Sequence, residues 1–113
     1  MIGAEPRRVT LRWERQGSGS RFLEAYLDSG GNLHLDAQDL GHGTEMVSSD
    51  GEYEYFKTIA AVDLPDLLDL LGAPTGSNVL DVLGAEWTGA ASYDLEERIR
   101  RSDLRVNLST WAG

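Results

Sequence analysis

Apolar and polar residues alternate along the first third of the chain with a period of two. Over Arg7–Arg15, Val9, Leu11 and Trp13 alternate with Arg8, Thr10, Arg12 and Glu14, which predicts a strand with one apolar and one charged face. Gln16–Ser20, QGSGS, reads as a flexible turn. Arg21–Asp28 repeats the pattern, with Leu23, Ala25 and Leu27 against Phe22, Glu24 and Tyr26. Ser29-Gly30-Gly31-Asn32 accepts positive φ and predicts a hairpin. In the third strand Leu33, Leu35 and Ala37 alternate with His34, Asp36 and Gln38. Asp39–Gly51 is irregular, with a helical turn expected at Thr44–Val47. Glu52–Ile59, rich in Tyr, Phe, Thr and Ile, is the fourth strand.

At Asp63 the period changes. Leu64, Leu67, Leu68 and Leu71 fall at i, i+3, i+4 and i+7, the spacing of one helix face. Asp63 is the expected N-cap, Pro65 fits the first turn, Val62 is placed to staple onto Leu67, and Gly72 marks the stop. Ser77 is expected to cap a second helix holding Val79, Leu80 and Leu83 and running toward Trp87. Ser92 is expected to cap a third, with Asp94, Glu96 and Glu97 near its start and Arg98, Arg100 and Arg101 near its end. That order suits the helix dipole, and Leu95 and Ile99 are its buried pair. Leu104, Val106, Leu108 and Thr110 then alternate with Arg105, Asn107, Ser109 and Trp111 in a closing strand. The order β-β-β-β-α-α-α-β predicts an α+β domain, an antiparallel sheet of about five strands with two to three helices on one face. One domain is expected over residues 1–113, with 1–6 a loosely ordered tail. The neighbour of the last strand is left open.

Composition narrows the class. A chain of 113 residues with 41% hydrophobic content can bury one core without staples. It has no cysteine, hence no disulfide or thiolate metal site. No apolar run approaches the roughly 20 residues of a membrane span, and the N-terminus has no signal-peptide apolar core, so a cytoplasmic protein is expected. Between Asp28 and Glu86 twelve acids face Lys57 alone, within a chain of net charge −9. Such a field repels nucleic acid and anionic lipid and attracts basic partners. Arg7, Arg8, Arg12 and Arg15 form a short basic stripe whose expected role is pairing with acids on neighbouring strands.

Little of this suggests a reaction. His34, Asp36, Asp39 and His42 are the residues with metal-ligand chemistry, but no HExxH-type spacing sharpens them, and the polar side of a strand followed by a turn accounts for them. There is no GxSxG, and neither histidine lies near a marked serine. Glu52 and Glu54 share a strand face but no sign of a substrate pocket accompanies them. Gly41-His42-Gly43 lacks the remaining elements of a phosphate loop. No catalytic residue, cofactor or metal is expected. Tyr53-Glu54-Tyr55 has two readings: tyrosines packed under the helices with Glu54 solvated, or tyrosines exposed beside acids as binding anchors.

The succession of hairpin, Gln38-Asp39-Leu40-Gly41, Tyr53-Glu54-Tyr55, Asp63-Leu64-Pro65-Asp66-Leu67-Leu68 and a Trp-bearing last strand resembles small acidic bacterial immunity-like proteins. These accompany polymorphic and contact-dependent growth-inhibition toxins, and the likeness runs from about Leu23 to Trp111. It implies a non-enzymatic protein that binds one cognate toxin domain and occludes its active site or substrate groove. Many such toxins are nucleases with basic surfaces, which an acidic inhibitor would meet quickly through steering. The expected interface is Asp36, Asp39, Glu45, Asp50, Glu52 and Glu54, with Tyr53 or Tyr55 as aromatic anchor. The alternative is a regulatory or self-associating interaction domain.

Overall fold

The computed structural model describes residues 6–17, 19–40 and 52–112. Strands β1 (Arg8–Gln16), β2 (Gly19–Leu27), β3 (Leu33–Leu40), β4 (Glu52–Ile59) and β5 (Asn107–Ala112) form one sheet. Its order is β1-β2-β3-β4-β5, and every neighbouring pair is antiparallel. Between β4 and β5 the chain makes a 3₁₀ turn at Ala61–Asp63 and three helices, α1 (Leu64–Leu70), α2 (Val79–Glu86) and α3 (Ala91–Arg101). It then returns to lie beside β4. This is the expected α+β order, with the last strand's place now fixed.

The helices cover one face of the sheet. Leu23, Ala25, Leu33, Leu35 and Ile59 from the strands meet Leu67, Leu83, Leu95 and Ile99 from the helices, all buried in one cluster. The hairpin between β2 and β3 turns through Gly31 at φ 82°, where only glycine avoids a Cβ penalty. Asp28 Oδ1 accepts the backbone N–H groups of Gly30 and Asn32 at 2.9 and 3.0 Å. Helix α1 stops at Gly72, φ 72°, and the Ala73 N–H returns to the Leu68 carbonyl at 2.9 Å.

Several local expectations are corrected. β1 does not alternate cleanly, because a bulge interrupts its register between Thr10 and Arg12. Leu11 is the extra residue, and its carbonyl accepts the Gly89 N–H at 2.8 Å. Consecutive residues Leu11 and Arg12 are therefore both buried, and Trp13, expected inside, is 61% exposed on the other face. The caps differ next. Asp63 makes no side-chain cap to α1; its carboxylate accepts Arg105 Nη2 at 2.8 Å instead, and Val62 is 76% exposed rather than stapled. Ser77 donates to the Pro74 carbonyl, and Asn78 caps α2 by accepting the Asp81 N–H at 3.1 Å. Ser92 lies inside α3, fully buried, donating to the Gly89 carbonyl and accepting Arg12 Nε at 2.9 Å. Lastly, Leu104 and Val106 pack against the core before β5 begins, so the closing strand is shorter than expected. The expected tail lies mostly outside the described residues, as does the helical turn at Thr44–Val47.

The Asn78 cap sets a stability test. Asn78→Ala leaves a helix N–H without its acceptor and is expected to cost about 1 kcal/mol in urea unfolding. Ser77→Ala at the neighbouring position is expected to cost less than half as much.

Candidate functional site

The sheet register sorts every strand residue onto the helix side or the open side. On the helix side Arg12, Leu23, Ala37 and Tyr55 form one transverse row. The small Ala37 in mid-row leaves room for the long side chains at its ends to converge. Glu96 of α3 meets them there: Oε1 accepts Arg12 Nη2 at 2.6 Å, and Oε2 accepts Tyr55 Oη at 2.8 Å and Lys57 Nζ at 3.1 Å. The Arg12 guanidinium also stacks on Tyr93, 3.7 Å from the ring centroid. Burial works to raise the Glu96 carboxyl, but Arg12, Lys57 and Tyr55 outweigh it and hold it below the usual range. Burial and the adjacent Glu96 charge push the Tyr55 hydroxyl far up, so it stays protonated and donates. The next row joins Arg21, Asp39 and Tyr53. Burial raises the Asp39 carboxyl against the opposing pull of Arg21 and Arg12. These groups hold α3 to the sheet from β1 to β4.

The open side is different in composition. Among the described residues no helix packs on it. Its positions include Arg8, Thr10 and Trp13 on β1; Phe22, Glu24 and Tyr26 on β2; His34, Asp36 and Gln38 on β3; Glu54, Phe56 and Thr58 on β4; and Asn107, Ser109 and Trp111 on β5. Trp13 packs edge-on to Phe22, centroids 5.6 Å apart, and stays 61% exposed. Trp111, opposite Glu54, is 50% exposed. At one end Arg8 lies over Tyr26 at 4.3 Å, and Tyr26 stacks on His34 with rings 5° from parallel at 4.7 Å. His34 Nε2 contacts Asp28 Oδ2 at 2.8 Å, and that carboxyl is pulled well below its usual range by His34 and the Asn32 and Gly30 donors.

Asp36 sits at the middle of this face, directly opposite Glu24 on one side and Phe56 on the other. Glu24 has Arg8 at 2.6 Å and Glu54 has Gln38 at 3.0 Å, whereas Asp36 has no hydrogen-bond or ion-pair partner among the described residues. Desolvation raises its carboxyl, reinforced by Glu24 and Glu54 and opposed by His34 and Arg8. Like charges directly opposite on neighbouring strands are destabilising. Asp36→Asn is therefore expected to raise stability by about 0.5–1 kcal/mol at neutral pH. A carboxyl whose folded value is raised opposes folding when ionised and stops opposing it as pH falls, so the gain must vanish in acid. A neutral-pH melting temperature no higher than wild type would contradict it.

The expected interface residues do not share one surface. Asp36 and Glu54 lie on the open face. Asp39, Tyr53 and Tyr55 lie on the helix side, because a period of two sends sequence neighbours to opposite faces. Tyr55 is bonded to Glu96 and packs against the core. Glu45 and Asp50 lie outside the described residues, as does His42, and of Glu52 only the backbone is described, paired with Leu40. His34 and Asp36 share the open face while Asp39 does not, and no group of metal-ligating side chains is present among the described residues. Trp13, Phe22 and Glu24 were not in the expected set. Trp13 could not have been, since the bulge that turns it outward has no signature in Thr10-Leu11-Arg12. Trp111 could have been, since it alternates with the apolar positions of its strand.

No helix among the described residues is long and apolar enough to cross a membrane. Set against models of known protein families, curated proteins and solved structures, the chain matches none.

Proposed function

We propose that this chain is a non-enzymatic binding protein that neutralises a bacterial toxin domain in the cytoplasm, docking it on the open sheet face. The observation that carries the reading is the composition of that face. Two largely exposed tryptophans, Trp13 and Trp111, stand toward its opposite edges, with Glu24, Asp36 and Glu54 between them. Tryptophans are among the residues most enriched as interface anchors, and acids beside them can pair with a partner's cations. Asp36, with no ion-pair partner among the described residues and a carboxyl raised by desolvation, is a residue kept at the expense of stability, which fits a role realised only in a complex. A lysine or arginine of the partner would complete it, and the net charge of −9 would steer such a partner in.

The test has two stages. The tagged chain serves as bait in lysate of its own organism, beside a Trp13→Ala, Trp111→Ala double variant. A stoichiometric partner with a basic domain, held by the wild type alone, is then expressed by itself and with this chain. Growth arrest by the partner, relieved by the wild-type chain and not by the double variant, is the expected result. A partner that does not affect growth, or one held equally by the double variant, would sink the reading. The self-associating alternative is favoured by one observation, the exposed edge of β5, the strand that also carries Trp111.

A further inference from the structure

We propose that β5 is a self-pairing edge, through which two copies of this chain join strand to strand, antiparallel, into one continuous sheet. The two edges of the sheet are built differently. β1 carries the bulge at Leu11, the Leu11 carbonyl is taken by Gly89, and Arg8, Arg12 and Arg15 lie along the strand. Bulges, charges and coverage are the devices by which natural sheets prevent edge-to-edge pairing. Among the described residues β5 has none of them. Its sequence, Asn-Leu-Ser-Thr-Trp-Ala, contains no charge, proline or glycine, and its register with β4 runs without a break from Asn107 to Ala112. Residues Asn107–Trp111 are all exposed. β5 pairs with β4 on one side, and no described strand pairs with its other side.

The helix layer also stops short of this strand. Side chains of α3 reach Tyr55 and Lys57 on β4. Beyond them Leu108 is 57% exposed and walls an open groove of about 320 Å³ with Tyr53, Tyr93 and Arg100. Among the described residues, β5 thus has both faces and one edge uncovered.

A second copy is the occupant that fits. Two chains of net charge −9 repel, but Val106–Ala112 has no charged side chain, so the copies meet where repulsion is least. A cationic partner, by contrast, would find no acid to pair with on β5 itself. A two-fold axis perpendicular to the sheet makes the contact self-complementary. It sets helix-side residues against helix-side residues, so Leu108 faces Leu108 or Thr110 of the other copy. On the open side Asn107, Ser109 and Trp111 meet each other in the same way. Every register therefore pairs uncharged side chains. A six-residue edge buries less than the roughly 800 Å² per partner of a stable interface. The dimer is accordingly weak, and its population follows concentration.

Sedimentation equilibrium over roughly 10 μM to 1 mM tests this, a range suited to a weak dimer. The wild type is expected to move from the chain mass toward twice that mass, and Leu108→Lys, Thr110→Lys to stay at the chain mass with an unchanged circular dichroism spectrum. Amide exchange on the wild type provides a second reading that needs no variant: residues 107–112 should gain protection at high concentration while β1 does not. A mass independent of concentration would overturn the proposal. So would a dimer that survives the double substitution in folded protein, or concentration-dependent protection that leaves β5 unchanged.

Discussion

Replacing Glu96 with alanine is expected to lower the stability of this domain by about 3–5 kcal/mol, a large part of what a domain of this size has. The reason is the state of Arg12. Its side chain is 2% exposed and Glu96 is 14% exposed, with the two atoms 2.6 Å apart. Without Glu96 the guanidinium keeps Ser92 but loses the carboxylate it is ion-paired with, in a site almost closed to solvent. Breaking a buried pair from one side costs more than the pair contributes, because a buried charge is left uncompensated. The double variant Arg12→Met, Glu96→Leu should therefore be more stable than Glu96→Ala alone. If the two melt alike, the loss comes from packing and not from the charge. The same cluster sets an acid limit. Folding lowers the Glu96 carboxyl from its ordinary 4.5, so its contribution is complete above that value and is lost as pH falls through the lower, folded one. Asp36 and Asp39, whose carboxyls are raised, work in the opposite direction. Comparing urea unfolding of wild type and Glu96→Gln between pH 7 and 3 isolates the Glu96 part: the gap must narrow as pH falls.

Which parts of this architecture could be read from the chain follows from which contacts are local. Helix faces are local, and Leu67, Leu68, Leu83, Leu95 and Ile99 are buried where the 3.6-residue period places them. The hairpin at Ser29–Asn32 is local too, since Gly31 needs its positive φ whatever surrounds it. Caps are only half local. Asp63 and Ser92 have the chemistry of N-caps, but each is engaged by an arginine distant in sequence, Arg105 and Arg12. The bulge at Leu11 depends on the Gly89 N–H, almost eighty residues on, so nothing near it in the sequence could signal it. That one extra residue decides the site, because it exchanges Arg12 and Trp13 between the two faces. Grouping acids by proximity along the chain also fails in a sheet. Asp36 and Asp39 are three apart, which places one on the open face and the other under α3.

On the open face, the second large effect is expected in binding and not in stability. Trp13 is exposed, so Trp13→Ala removes little buried area and should leave the melting temperature within a degree or two of wild type. Against the partner proposed to dock on this face, the same change should weaken affinity about 30-fold or more, since a truncated tryptophan anchor typically costs at least 2 kcal/mol. Asp36→Lys should be worse still. It replaces the acid that would receive the partner's cation with a like charge, which costs several kcal/mol across an interface. Asp36→Asn separates the two roles of that residue: it should stabilise the unbound chain and weaken the complex at the same time. Arg105→Ala, on the helix side with Asp63, serves as the control and should bind as wild type does. The association rate should fall steeply between low and physiological salt, because the steering charge lies on solvent-exposed groups that salt screens. The Asp36 and Glu54 variants should flatten that slope, while Trp13→Ala should leave it unchanged and raise the dissociation rate instead. Equal affinity of Trp13→Ala, Asp36→Lys and wild type, measured by calorimetry on the same partner, would place the docking surface elsewhere on the molecule.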